Sequence, residues 1–367
     1  MINNYKKIVI KIGSSSIINS KNKKINSKWM EVFCKDVAKI HKNSKIVIVC
    51  SGAIALGSNL IKKNKSLRKL EDKQAAASVG QIELAHQWRQ NLKKYKINVA
   101  QVLLTLEDSE VRRRYLNARK TMNSLLANEI IPVINENDTV ATEEIKYGDN
   151  DRLAARVSQM IDADLLILLS DIDGLYDKNP VKYKSAKKIN EVFKINKSIE
   201  SMANSQTSSL GSGGMATKIW AAKICMNNGC NTIITNSNKS KPLISISNEN
   251  STIFHAIKNP SSSRKQWLLN HLHESGFIKI DEGAYKAILN NKSLLPAGVI
   301  EIGGKFNRGD IISVYHAKKE KVAIGISAYD INEAKKIIGK KSKEISIILG
   351  YEGRDEIIHK DDLVITV

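Results

Sequence analysis

KIVIKIG (7–13) holds a short apolar run from Ile8 to Ile12, broken only by Lys11, that stops at a glycine, and KIVIVCSG (45–52) repeats it thirty-eight residues later. Short apolar runs closed by Gly or Ser read as strands buried on both faces. NVAQVLL (98–104), IIPVIN (130–135), DLLILLS (164–170) and NTIITN (231–236) continue the series, and the segments between them, notably 72–95, 112–128, 150–161 and 214–228, carry helical spacing. Strands alternating with helices imply an α/β domain, a doubly wound and mainly parallel sheet with helices on both faces. Ligands of such sheets bind outside the carboxyl ends of the strands. The dense polar clusters of this chain fall at those ends.

The pattern changes after residue 258. KNPSSSRKQ (258–266) is polar and Pro/Ser-containing and reads as a linker. Beyond it GFIKIDEGAYKAIL reads as a short strand and a short helix, and GVIEIGGKFNRGDIISVY and EKVAIGISAY alternate at strand period with glycine turns. The expected organisation is therefore an α/β domain over 1–258, a linker over 259–274 and a small, mainly β, barrel-like domain over 275–367. A length of 367 residues suits two domains.

The formal charge of +21 fits either a nucleic-acid or anionic partner, or lysines scattered by compositional drift. The four cysteines, Cys34, Cys50, Cys225 and Cys230, form no C-x-x-C pair, and Cys225 and Cys230 have no nearby histidines, so free thiols are expected rather than a metal site. No run of 18 apolar residues occurs, which predicts no membrane span, and the apolar stretch at the N-terminus is too short for a signal peptide.

Four segments carry chemistry. GSGGMATK (211–218) opens a helix with glycines whose N–H groups can approach a phosphate, and Lys218 follows one turn in. It is not a Walker A loop, because no Gly-Lys-Ser/Thr closes it. Lys11 lies inside an apolar strand, where an unpaired ammonium is costly. An anion at the strand end would remove that cost, and a snorkelling edge-strand lysine is the plain alternative. INENDTV…IKYGDNDRLAAR (134–156) packs Asn135, Glu136, Asn137 and Asp138 after one strand and Asp149, Asn150 and Asp151 before a helix. Such a cluster can hold an ammonium, a carboxylate or Mg²⁺, and Asp149 or Asn150 can also serve as a helix cap. LLSDIDGLYDKNP (168–180) runs from a strand into a glycine turn, either an ordinary turn or a loop for a nucleotide base or ribose.

In order along the chain, IKIGSSSI, VCSGAIALG, KQAAASVGQ, RRRYLNARKT, INENDTVATEEIKYGDNDRLAA, LLSDIDGLYDKNP and GSGGMATKI resemble the amino-acid kinase superfamily, and within it the glutamate 5-kinases. SLLPAGVIEIGGKFNRGD and ILGYEGRDEIIHKDDLV resemble the PUA domain that follows in that family. The resemblance covers essentially the whole chain, and the INENDTVATEEI…GDND block is its most specific part. It implies an amino-acid kinase fold and ATP-dependent phosphorylation of the side-chain carboxylate of glutamate. The product would be L-glutamyl 5-phosphate, formed in the first step of proline biosynthesis in the cytoplasm. It also implies Mg²⁺ with the ATP, inhibition by proline, a homo-oligomer and a glutamyl-phosphate reductase as downstream partner. RNA binding by the PUA domain stays open.

Residue by residue, the resemblance places Lys11 and Lys218 beside the transferring phosphoryl group, with Asp151 orienting both. Ser51, Asp138 and Asn150 would bind glutamate. Lys11, Ser170, Asp171, Ser212, Gly213, Gly214, Met215, Ala216, Thr217 and Lys218 would hold ATP. No residue is assigned as a protein metal ligand. Cys50, Ser170 and Ser212 stand where Ser or Thr is more usual. Ser170 and Ser212 keep a hydroxyl. Rival readings are a sister kinase acting on carbamate, aspartate, N-acetylglutamate or UMP, an RNA-modifying protein, and an inactive regulator.

Overall fold

The computed structural model describes residues 2–19, 22–61, 69–140, 150–204, 214–257, 275–317 and 321–366. The expected linker (259–274) and the site candidates Ser212 and Gly213 lie outside the described residues. The chain divides into two compact units, Met1–Pro260 and Ser261–Val367.

The first unit is built on an eight-stranded sheet. Its strands are β1 (Lys7–Ile12), β2 (Lys45–Cys50), β3 (Val99–Leu104), β4 (Ile131–Glu136), β5 (Leu165–Ser170), β8 (Glu191–Val192), β9 (Asn231–Asn236) and β10 (Ser251–Phe254), in the order β3-β4-β2-β1-β5-β9-β10-β8. A two-stranded ribbon, β6 (Leu175–Tyr176) with β7 (Lys188–Ile189), stands outside it. From β3 to β9 every pair is parallel. Antiparallel β10 is the exception.

Helices cover both faces because every second residue of a strand points the same way. Ile8, Ile10 and Ile12 of β1 join a core with Ile46 and Ile48 of β2, Leu165 and Ile167 of β5, and Phe33, Trp88 and Leu84 from helices α2 (Ser27–His41) and α4 (Leu70–Lys93). Val9 points the other way, into a second core with Val47, Val49, Leu166 and Leu168. Leu153 and Ile219 enter that core from α7 (Asn150–Ile161) and α9 (Met215–Asn227). By the same alternation Lys11 belongs to the α7/α9 face. It sits on a central strand, between β2 and β5, and is only 8% exposed, so the snorkelling edge-strand alternative does not hold.

One close approach shapes the packing beside the end of β2. Helix α3 (Ala53–Ile61) starts just past Ser51 and packs on α4 through two glycines. A Cβ on Gly57 would lie 1.8 Å from the carbonyl oxygen of Ala76, and one on Gly80 would lie 1.9 Å from that of Ala53. Only hydrogen at both positions lets the two backbones touch.

The second unit holds a sheet of β11 (Gly276–Ile280), β12 (Val299–Gly304), β13 (Ile311–His316), β14 (Lys321–Ile326) and β15 (Leu363–Ile365), in the order β12-β11-β13-β14-β15. It has its own core, in which Ile278, Val314, Val322 and Tyr329 meet. The expected short helix is present at Glu282–Leu289, and the mainly-β expectation misses two others, Ile331–Ile337 and Ser342–Leu349. The Asp330–Glu333 capping box that starts Ile331–Ile337 is present in the sequence as D-x-x-E.

Gly80→Ala is expected to force α3 from α4 and to destabilise the protein by about 1–3 kcal/mol or more, the range for overpacking a rigid contact. Thermal melting of the variant beside the parent checks it. An unchanged melting temperature would mean the helices separate freely.

Candidate active site

All five parallel strand ends that matter here open on one edge of the sheet. β1 delivers Lys11, β2 Ser51, β4 the Asn135–Asp138 cluster, β5 Ser170 and Asp171, and β9 Asn236 and Ser237. The first turns of α7 and α9 meet the same edge and bring Asn150, Asp151, Thr217 and Lys218.

Asp151 is fully buried between two lysines. Its Oδ1 lies 2.6 Å from Lys11 Nζ and its Oδ2 lies 3.0 Å from Lys218 Nζ. Thr217 Oγ1 is 3.0 Å from the same Oδ2 and 2.8 Å from the Gly214 carbonyl, with one proton to share between them. Burial alone would raise the carboxyl pKa. The charges and hydrogen bonds of Lys11 and Lys218 outweigh it and hold the group well below the usual carboxylate range. Two ammonium groups on one carboxylate leave the trio with one positive charge in excess, in a place of low polarity. An anion arriving between the lysines would find that charge undiluted by water.

Gly214 caps α9 with no side-chain hydrogen bond, and a Cβ built on it would meet nothing within 4 Å. The first N–H groups of a thirteen-residue helix lie beside Lys218, and a helix start is a favourable place for phosphate. Met215 points into the core, so any contact with a nucleotide would come through its backbone; Ala216 is exposed. On the other flank Ser170 Oγ donates to Asp171 Oδ1 at 3.0 Å, and Asn236 Nδ2 donates to the Asp171 carbonyl at 3.0 Å, which fixes the turn after β5.

The opposite side is an amide chain. Asn150 Nδ2 lies 2.9 Å from the Cys50 carbonyl, 2.6 Å from Ser51 Oγ and 3.1 Å from Asn135 Oδ1. Asn135 Nδ2 donates in turn to Gln81 Oε1 at 2.8 Å. The Cys50 carbonyl can only accept, so it fixes which way the Asn150 amide points. Its Oδ1 is then buried with no hydrogen-bond partner among the described residues. Burial also raises Asp138 to a pKa of about 6, and no cation pairs with it among the described residues. An acceptor and a carboxylate, both short of a donor, suit a ligand that brings an ammonium group.

The structure thus brings Lys11, Asp151, Lys218 and Thr217 together, and separately Ser51, Asn150 and Asn135. Gln81 carried no assigned role in the sequence reading. Its only trace there is a polar residue ending the small-residue run of KQAAASVGQ. The cysteines are free and buried, and the Cys50 thiol beside the site is pushed up to about 12 by burial, so it is no nucleophile.

Residues 6–236 match the amino acid kinase family and residues 276–349 match the PUA domain. Curated relatives match almost end to end. The glutamate 5-kinase of Agrobacterium fabrum is 49% identical over 98% of this chain and 93% of its own. That of Paramagnetospirillum magneticum is 46% identical over 98% and 97%. The chain belongs to the glutamate 5-kinases of the amino acid kinase family. As a member of that family it is a kinase, a transferase of phosphoryl groups, with a PUA domain. Among solved structures, the carbamate kinase of Giardia lamblia bound to AMP-PNP superposes with a TM-score of 0.50 over 69% of this chain and 99% of its own. At 17% identity that likeness concerns the fold alone. No helix among the described residues is long and apolar enough to cross a membrane.

Asp151→Asn would strand two buried ammonium groups. The expected loss is about 3–5 kcal/mol of stability near neutral pH. A carboxylate with a depressed pKa gives stability that is present above its ordinary value of 3.8 and lost as the pH falls below it towards the depressed one. The gap in melting temperature between parent and variant is therefore expected to be constant near neutrality and to narrow in acid. A gap independent of pH down to the acid limit would contradict the ion-pair assignment.

Proposed function

We propose that the chain transfers the γ-phosphoryl group of ATP to the side-chain carboxylate of L-glutamate, giving L-glutamyl 5-phosphate. The observation that carries this reading is the buried Lys11–Asp151–Lys218 trio, with one cation in excess, at the mouth of the parallel sheet. The names of the curated relatives supply the acceptor.

A glutamate side chain, with a pKa near 4.3, is already ionised at neutral pH, so no general base is required. The difficulty is the meeting of two anions. Lys11 and Lys218 would straddle the transferring group and neutralise charge as it spreads over the phosphoryl oxygens. Asp151 would hold both ammonium groups at fixed separation without taking part in proton transfer. Ser170, Asp171 and the start of α9 would hold the nucleotide. Asp138, the Asn150 Oδ1 and Ser51 would hold the amino acid, with the α-ammonium directed at the first two.

The described residues do not build a metal cage. No group of three or more His, Cys, Asp or Glu side chains is placed for one, and both Asp151 oxygens are engaged by lysines. Magnesium would therefore enter with the phosphates, and no step here is routed through a protein-held ion. Proline carries the α-carboxylate and amine of glutamate without the reactive carboxylate, so competitive inhibition by proline belongs to the same proposal. So does the place of the reaction at the head of proline biosynthesis. Every residue assigned to chemistry precedes residue 259, and a protein ending near 258 is proposed to retain activity.

The deciding experiment is hydroxylamine trapping of the acyl phosphate, with ATP and Mg²⁺, offering glutamate against aspartate, carbamate and UMP. Hydroxamate with glutamate is expected, and turnover of another acceptor alone would overturn the reading. Lys218→Ala is expected to lower kcat more than a hundredfold, about 3 kcal/mol, with a smaller change in the glutamate KM. Asp138→Ala is expected to raise the glutamate KM by about 1.5–3 kcal/mol, roughly 10- to 150-fold, the cost of a lost charged hydrogen bond. In the parent the same KM should rise as the pH falls below about 6, where Asp138 takes a proton. A KM flat from pH 7 to 5 would remove Asp138 from the site.

A further inference from the structure

Helix α2 contributes nothing to the chemistry above, yet it and the turn before it grip the nucleotide side of the sheet edge. Ser237, the first residue after β9, is 1% exposed and makes three hydrogen bonds to three different segments. Its N–H donates to the Ser170 carbonyl at 2.8 Å, extending the β5–β9 pairing by one step. Its carbonyl accepts from the Trp29 indole Nε1 at 2.8 Å. Its hydroxyl lies 2.7 Å from that of Ser16, itself 2% exposed.

Ser16 belongs to the short helix α1 (Ser14–Ile17), the turn that follows Lys11 and Gly13. Strands β1 and β9 are not neighbours, because β5 lies between them. The Ser16–Ser237 bond therefore ties the segments leaving those two strands across the end of β5, where Ser170 and Asp171 begin the nucleotide turn. Trp29 holds Ser237 from behind. It is stacked on Phe33 with ring centres 4.9 Å apart, and Phe33 meets Trp88 edge-on at 5.6 Å. A second anchor fixes the loop that Ser237 begins. Asp36 of α2, 3% exposed, accepts from the N–H groups of Leu243 and Ile244 at 3.1 and 3.2 Å.

We infer that Ser16 and Ser237 are positioning residues for phosphoryl transfer, whose hydroxyl pair sets the spacing between the Lys11–Gly13 turn and the nucleotide turn at Ser170–Asp171. The inference rests on the proposed kinase reaction and adds residues that touch neither substrate. Transfer demands near in-line placement of two bound anions, and displacements of an ångström are costly in rate. The backbone pairing of β1 with β5 ends at Ile12 and Leu169. Beyond it the hydroxyl bridge is a direct side-chain tie between the two flanks.

The test compares Ser16→Ala, Ser237→Ala and their double variant with a matched control, Ser44→Ala. Ser44 is also buried and also loses one hydrogen bond, from its Oγ to the Tyr5 carbonyl at 2.7 Å, but at the amino ends of the strands. Each of the first two is expected to lower kcat for hydroxamate formation about 10- to 100-fold, leaving the glutamate KM within about threefold. The double variant is expected to lose no more than the worse single, because one bond is removed in all three. Ser44→Ala is expected to lower the melting temperature comparably and to leave kcat alone. Trp29→Phe, which removes the indole N–H together with part of the ring, gives a smaller loss in the same direction and serves if the serine variants fail to fold. A kcat within twofold of the parent in the variants that fold, or an equal loss in Ser44→Ala, would overturn the positioning role. A parent that forms no hydroxamate from glutamate would instead overturn the reaction itself.

Discussion

A carboxylate shared by two buried ammonium groups organises this kinase. Burying any one of the three charges alone would cost several kcal/mol, and burying them together is tolerable only at hydrogen-bond distance. That requirement ties β1 to α7 and α9, which come from well-separated parts of the chain. It also leaves the trio one charge from neutrality. The same electrostatic condition that locks the fold at this edge of the sheet therefore creates the demand for an anion there. Folding and ligand binding draw on a single interaction.

The two flanks of that trio are supported in different ways. On the amide flank the backbone-to-backbone contact of α3 with α4, possible only with glycine at 57 and 80, brings Gln81 within reach of Asn135. Asn135 then meets Asn150, and Asn150 meets Ser51. Each amide is aimed by the next, so the unsatisfied oxygen of Asn150 is fixed in direction before any ligand arrives. On the β5–β9 flank the support comes from hydroxyl and indole donors gathered on Ser237. Polar groups buried this way are costly unless satisfied. On the amide flank Asn150 Oδ1 has no hydrogen-bond partner among the described residues, and burial raises the Asp138 carboxyl to about 6.

The second unit has a separate sheet and a separate apolar core, and it matches the PUA domain. The ion-pair trio and the amide chain both belong to the first unit.

The sequence by itself determined the sheet, its strands and the polar clusters at their ends. Apolar runs of six residues closed by Gly or Ser set the strands almost to the residue, because a strand buried on both faces has no other way to be written. Alternation within KIVIKIG even places Lys11 on the face opposite Ile10 and Ile12. The pattern could not name the partner of Lys11, since the anion that satisfies it is 140 positions away and arrives only when α7 packs on that face. Antiparallel β10 and the helices at 331–337 and 342–349 escaped for a similar reason. Short elements with weak periodicity are fixed by what they pack against. Gln81, Ser16 and Ser237 look like ordinary polar residues in the sequence, and only tertiary structure decides that one aims an amide and the other two tie β1 to β9, because a hydrogen bond between distant segments leaves no local trace in either.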